Sequence, residues 1–212
     1  LYDPICRRVA ESGQCIVLSV EYRLAPEHPY PAGVDDCQHV LRHYRQGLTG
    51  LKFTDDIYIM GDSAGGAICA SLAMRSQDDP TLKIDKQILI YPSVDYCGGH
   101  ASLKENGTGF LLEQDKIGWY FQQYFRSFQD RKSVSPLRGK ISKNLPETFI
   151  VTAGCDPLRD EGLAYVKALE LAGVAVKHFQ FDDLIHAYML LDSIVSEECR
   201  KTYQMIGQFI KK

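Results

Sequence analysis

The sequence predicts an α/β domain built on a mostly parallel sheet with helices on both faces. Three observations lead there. Short apolar runs of strand character alternate with longer runs of helical character, the rhythm of crossover connections. The stretch Gly61-Asp62-Ser63-Ala64-Gly65-Gly66 joins a strand-like run, Ile57-Tyr58-Ile59-Met60, to a helix-forming run, Ala67–Met74. The chain has 212 residues, enough for one domain with a full core, and no internal repeat, low-complexity tract or linker divides it.

Residues 5–12 read as the end of a helix, stopped at Gly13. Cys15-Ile16-Val17-Leu18-Ser19-Val20 reads as a buried strand. Pro26, Pro29 and Pro31 then forbid a helix and fix an extended loop. A helix is expected over 33–47, a strand over 57–60, and a helix from the glycine-rich turn to about Ser76. Lys86–Tyr91 is the next strand, ended by Pro92. The segment from about 97 to 145 breaks the rhythm, with one helix expected at 113–127 that holds the single tryptophan, Trp119. An insertion of that length between two sheet strands is expected to contribute to a cap or pocket wall. Thr148–Ala153 is a strand, Gly162–Ala172 a helix with Asp160 as its N-cap, Val174–Phe181 the last strand, and 193–210 the last helix.

Net charge is −3, with both signs spread along the chain and no basic stripe, which argues against a nucleic-acid partner. No apolar run has the length of a membrane span. The seven cysteines are scattered without a C-x-x-C, as suits reduced core thiols in a cytosolic protein, and nothing among them resembles a zinc site.

Gly61-Asp62-Ser63-Ala64-Gly65 is a G-x-S-x-G between a strand and a helix, the pattern of a nucleophile elbow. Three fixed letters recur by chance in roughly one chain in fifteen of this length, so the flanking strand and helix give the motif its weight. Small residues are needed there because strand and helix approach closely, and the helix N-terminus directs free N–H groups at the serine. A serine nucleophile needs a base, and the base needs an orienting acid, in the chain order Ser, acid, His for this kind of fold. Of six histidines, only His178 and His186 follow the late strands. His178 lies inside a strand and reads as a packed or surface residue, whereas His186 lies just past it, where it can reach the serine. Asp156 follows the strand ending at Ala153-Gly154-Cys155, and Pro157 keeps it out of helical geometry. Asp95, after an earlier strand, is the alternative acid. Asp182 and Asp183 read as solvated loop carboxylates, and Arg23 with Glu27 as a structural pair anchoring the proline-rich loop.

These residues resemble the hormone-sensitive-lipase-like branch (family IV) of the α/β-hydrolases, which includes bacterial carboxylesterases. The matching stretches are Glu21-Tyr22-Arg23-Leu24-Ala25-Pro26-Glu27-His28, Gly61–Gly66, Asp156-Pro157-Leu158-Arg159-Asp160-Glu161-Gly162 and His186. The resemblance implies Ser63 as nucleophile, His186 as base and Asp156, rather than Asp95, as acid. It also implies short- to medium-chain carboxylic esters as substrates and no metal or organic cofactor. Asp62, Tyr120 and Tyr188 are candidates for substrate contact, although the aromatic group Trp119-Tyr120-Phe121 is as readily core as acyl pocket.

The chain departs from the family pattern in two places. The family usually has His-Gly-Phe at the base, where this chain has His186-Ala187-Tyr188. A methyl group restricts that backbone, and Tyr188 is expected to keep an aromatic ring near the pocket and alter acyl preference. The family also carries a His-Gly-Gly-Gly stretch upstream of Tyr22-Arg23, whose N–H groups form most of the oxyanion hole, and this chain has none. The expectation is a C-terminal part of a longer protein, or a split or incomplete gene product, lacking the first strands and left with the Ala64 N–H as donor. Loss of one donor typically costs about two to three orders of magnitude in turnover. An open sheet edge also makes a homodimer an expected state. The rival readings are a ligand-binding or incomplete relative without catalysis, and an amidase or peptidase with the same triad.

Overall fold

The computed structural model describes residues 2–211. Four parallel strands lie in the order β1 (Tyr58–Asp62), β2 (Lys86–Ile90), β3 (Glu147–Cys155) and β4 (Val176–Ile185), each beside its predecessor in sequence. The alternation of side chains builds two cores. Ile88 and Ile90 of β2, with Phe149 and Val151 of β3, face α1 (Asp3–Gly13) and α8 (Ser196–Ile210). Leu89 and Ile150 point the other way, against α3 (Ala64–Ser76) and α7 (Arg159–Leu171). Both faces of β2 and β3 are thus covered, which is why they read as continuous apolar runs. A further helix, α2 (Ala32–Gly47), packs Val34 on Ile68 and Leu72 of α3.

The predicted strand at 15–20 is a correction. Those residues are not paired into the sheet, which on that side ends at β1 among the described residues. Cys15 and Val17 pack on the α1–α8 core, while Ile16 and Leu18 are 43% and 44% exposed. The run Cys15–Val20 is apolar enough to read as a buried strand. It carries no information on whether a neighbour supplies the ladder hydrogen bonds that make a strand.

Between β2 and β3 lie α4 (Ala101–Glu105), α5 (Gln114–Tyr124), α6 (Arg131–Val134) and a 3₁₀ turn at Pro136–Arg138. Helix α5 ends at Tyr124, short of the expected 127, and Phe125 and Tyr96 close on Ala67 in the first turns of α3. The insertion therefore sits beside the start of α3. Among the described residues, no helix is long and apolar enough to cross a membrane.

Candidate active site

One residue, Ser63, separates the end of β1 from the start of α3. Its backbone stands at φ 49°, ψ −115°, a strained conformation for a residue with a Cβ. The turn is locked by main-chain bonds. Ser63 N–H donates to Ile90 O (2.9 Å), and Ser63 O accepts from Ala67 N–H (3.1 Å) and Ser93 N–H (3.2 Å). A Cβ at Gly61 would overlap the Gly65 carbonyl, and one at Gly66 would lie 2.8 Å from Pro92 Cβ. Ala64, the first residue of α3, is exposed and has an N–H without an intrahelical acceptor.

Asp156 leaves β3 directly and is fully buried. Its two carboxyl oxygens are divided between tasks. Oδ1 accepts from Leu158 N–H at 2.8 Å, and Oδ2 accepts from His186 Nδ1 at 2.7 Å. A carboxylate accepts, so Nδ1 carries the proton and Nε2 turns its lone pair to Ser63 Oγ, 2.8 Å away. The structure thus brings Ser63, His186 and Asp156 into one hydrogen-bonded line from residues as far apart as 63 and 186.

His186 is delivered by a bulge. Ala153 pairs with Phe181 but Cys155 pairs with Ile185, so β4 carries extra residues where β3 has only Gly154. A Cβ at Gly154 would overlap the Asp182 main chain, which is what the bulge packs against. The strand expected to end at Phe181 therefore continues to Ile185, and His186 is the next residue. Ala187 then adopts φ 61°, ψ 22°, the left-handed conformation that glycine takes without cost.

The Tyr91 ring lies against the His186 imidazole, 4.8 Å between centroids, at a backbone φ of 37°. Its hydroxyl donates to Asp62 Oδ2 (3.4 Å), as does that of Tyr2 (3.3 Å). Burial pushes the Asp62 carboxyl up, against the opposing influence of those hydroxyls and of His186. Asp62, the residue before Ser63, is thus bonded to the tyrosine whose ring lies against His186.

Several expectations change. Tyr188 does not face a pocket. It is fully buried, its ring packs on Tyr91 and Phe181, and its hydroxyl bonds Thr202 Oγ1 at 2.8 Å, because the turn after His186 folds back onto α8. Tyr120 lies at the surface of the insertion. It is 47% exposed and packs on Trp119, while Phe121 turns inward onto Tyr96 and Phe125. Arg23 does not pair with Glu27. Its guanidinium grips Asp36 (2.7 Å) and holds that carboxyl down at about 2, while Glu27 is exposed. Asp160 is not an N-cap, because α7 begins earlier, at Arg159, and its carboxylate accepts from Ser102 N–H. Asp95 is held away from His186 by Arg138 (2.7 and 2.9 Å) and by His100 (3.0 Å). His178 sits in β4 with Nε2 on Thr152 Oγ1, the packed role expected for it.

Sequence reading missed Tyr91, Glu161, Ser102 and Asn106. The position of Tyr91, at a strand end before Pro92, was an available signal. Glu161 is buried, and its Oε1 accepts from Val94 N–H (2.7 Å) and Asp95 N–H (3.2 Å), tying α7 to the exit of β2. Ser102 and Asn106 lie in the irregular insertion, where no periodicity marks a buried polar residue. Among the described residues, no group of three or more His, Cys, Asp or Glu could hold a metal ion.

With this geometry in view, the relatives are informative. A family model described as the alpha/beta hydrolase fold matches residues 1–190. An ethyl acetate hydrolase of Pseudomonas putida is 33% identical over 200 residues, covering 92% of this chain and 63% of that protein. An esterase of Mycobacterium tuberculosis, LipI, is 37% identical over 195 residues, covering 89% and 60% respectively. The chain thus spans less than two thirds of the length of these curated relatives. A hyperthermophilic esterase from the archaeon Pyrobaculum calidifontis superposes with a TM-score of 0.92 at 35% identity, over 99% of this chain and 70% of that one. The chain belongs to the α/β-hydrolase fold family, in its hormone-sensitive-lipase-like esterase branch.

Proposed function

We propose that this protein is a serine carboxylesterase that cleaves short- to medium-chain esters through an acyl-enzyme. The observation that carries the reading is the line Ser63 Oγ–His186 Nε2 (2.8 Å) and His186 Nδ1–Asp156 Oδ2 (2.7 Å) at a strained strand-to-helix turn. The esterase names of its relatives support the substrate class.

Ser63 Oγ attacks the ester carbonyl carbon while His186 Nε2 takes its proton. Asp156 holds the imidazole by Nδ1 and stabilises the imidazolium that forms. The tetrahedral oxyanion faces the start of α3, where Ala64 N–H donates. Collapse expels the alcohol, which takes the proton from Nε2 and leaves an acyl group on Ser63. Water then gives a proton to His186, attacks the acyl carbon and releases the carboxylic acid, returning the proton to Ser63. Asp62 borders the site, and the 97–145 insertion forms one of its walls. All seven cysteines are free thiols, which supports a cytoplasmic protein, and the outer edge of β1, unpaired among the described residues, supports a homodimer, a state that light scattering reads.

The test is hydrolysis of p-nitrophenyl acetate, butyrate and octanoate, with Ser63→Ala as the blank. The expected result is Ser63-dependent turnover that falls from butyrate to octanoate, and labelling of Ser63 by a fluorophosphonate. A rate equal to the blank in a folded sample overturns the reading. A faster rate on butyranilide than on the matched ester would instead favour an amidase.

A further inference from the structure

The turn that carries Asp156 belongs to neither β3 nor α7, and its carbonyls need donors. The register break in β3–β4 takes Gly154 out of the strand pairing. A buried carbonyl left without a partner carries the cost of its lost hydration. Asp156 O accepts from Arg159 N–H (3.1 Å), and helix α4 with the residue after it supplies further partners from inside the insertion. Asn106 Nδ2 carries two hydrogens and directs one at Gly154 O and one at Asp156 O, each at 3.2 Å. Ser102 Oγ donates to Pro157 O (2.9 Å) and accepts from Asp160 N–H (3.1 Å), and Ser102 N–H donates to Asp160 Oδ2 (2.8 Å). At the rim, Arg159 bridges Glu105 Oε2 (2.6 Å) and Gly154 O (3.2 Å). Ser102 and Asn106 are both buried, as is Asp156.

This is more than packing of one helix on another. The bonds fall on residues 154, 156, 157 and 160, on both sides of the acid and on the acid itself. Its carboxylate has one bond to spare for orientation, Leu158 N–H, which belongs to the same turn. The direction of Oδ2 toward His186 is therefore set by where that main chain lies, and the main chain is held from α4.

We propose that Asn106 and Ser102 are positioning residues, which clamp the segment 154–160 (the turn with the end of β3 and the start of α7) so that Asp156 Oδ2 stays on His186 Nδ1. The proposal rests on the Ser63–His186–Asp156 reading above and extends it, since it makes the start of the insertion part of the apparatus that orients the base.

The experiment uses the whole chain with Asn106→Ala and, separately, Ser102→Ala, each checked for folding by near-UV circular dichroism. Two readouts are taken well below the unfolding temperature. The first is kcat and KM on p-nitrophenyl butyrate. A displacement of about 1 Å at a catalytic group can cost 10²-fold, so kcat is expected to fall about 10- to 100-fold for Asn106→Ala and less for Ser102→Ala, with KM within about twofold. The second is the downfield proton resonance of His186 Nδ1–H. It is expected in the wild type and in Ser63→Ala, and broadened or lost in Asn106→Ala. A lower stability alone would leave both readouts unchanged in the folded fraction, and that result overturns the clamp. So does a wild-type chain without the resonance. If the wild type is inactive yet shows the resonance, and Asn106→Ala loses it, the clamp stands and the esterase reading fails. Should Asn106→Ala not fold, Ser102→Ala decides by the same two readouts.

Discussion

The two halves of the proposed catalytic site are held by different physics. On the nucleophile side, Ser63 is fixed by main-chain crowding. Gly61 lies against Gly65, Gly66 against Pro92, and the serine is left in a backbone conformation that a free chain avoids. On the acid and base side, Asp156 and His186 are fixed by polar tethers from distant segments, from α4, from the β3–β4 bulge and from Leu158 N–H. The first arrangement fails where an added atom meets main chain, as at Gly61. The second fails when a donor or acceptor is removed. Substitutions can therefore tell the halves apart.

The largest expected effect is on the polar side. Asp156→Asn keeps the shape but replaces the acceptor that holds the Nδ1–H tautomer, and such a change in a Ser-His-Asp site lowers kcat about 10⁴-fold. Asp95→Asn is the paired control. Burial opposes the charge of Asp95, but Arg138, Cys97 N–H and His100 outweigh it and hold the carboxyl below its ordinary range. Its contribution to stability is thus present above the unfolded pKa and lost as pH falls through the lower folded one. Asp95→Asn should cost about 1–3 kcal/mol in urea melts at pH 7 and leave kcat within a few-fold. Equal losses of kcat in the two variants would mean that the acid has been misassigned.

On the steric side, the glycines of the motif are not equivalent. Gly61→Ala drives a methyl group into the Gly65 main chain, which has no rotamer to yield. It should destabilise by more than about 3 kcal/mol, beyond ordinary overpacking. At Gly65 the nearest atom to an added Cβ is Asp62 Oδ1 at 3.8 Å, ordinary contact. Gly65 lies in α3, so Gly65→Ala should be neutral or stabilise by up to about 1 kcal/mol. Similar midpoints for the two variants in urea would remove crowding as the device that holds the elbow.

The same contrast explains what the sequence made legible. Local crowding and strand-to-helix order are written in short patterns, so Gly61–Gly66, the sheet strands β1 to β3 and the fold class could be read directly. Asp156 and His186 could be placed because each follows a strand end. The tethers could not be read. Asn106 and Ser102 lie some fifty residues from the turn that they hold, in a stretch without periodicity, and a buried polar residue there looks like a solvated one. Tyr188 was misplaced for a related reason. Its neighbourhood is set by the fold of the turn onto α8 and by Thr202, not by its nearness to His186 in sequence. The run at 15–20 shows the complementary failure, in which an apolar stretch read as a buried strand has no partner among the described residues to make it one.

A smaller effect tests the polar side through pH. Burial raises the Glu161 carboxyl from 4.5 to about 8, with Asp95 and Asp156 adding to the shift and the Val94 and Asp95 N–H groups opposing it. The folded protein therefore binds a proton here that the unfolded chain has released between those two values. Stability from this group is complete below about 4.5 and is lost as pH rises toward 8. Glu161→Gln keeps an acceptor for both N–H groups and has no proton to lose. The stability difference between variant and wild type should move in favour of the variant by about 1–3 kcal/mol from pH 5 to pH 8, read by urea unfolding at several pH values. A difference that is flat with pH would mean that the ionised carboxylate is already satisfied by its two donors.

The smallest effect lies where both kinds of constraint meet. Ala187 follows the base and holds φ 61°, although the tethers on either side, His186 to Asp156 and Tyr188 to Thr202, fix its ends. An L-residue pays roughly 1–2 kcal/mol for the left-handed conformation, and glycine does not. Part of that gain is offset by the greater freedom of glycine in the unfolded chain, about 0.5–1 kcal/mol. Ala187→Gly should therefore raise stability by up to about 1 kcal/mol, seen as a higher urea midpoint with an unchanged slope. Because the tethers rather than the methyl group set the direction of His186, kcat on p-nitrophenyl butyrate should stay within about twofold. A drop in kcat together with the gain in stability would show that the strained turn itself aims the base, and the division between a steric nucleophile side and a polar base side would then have to be redrawn at Ala187.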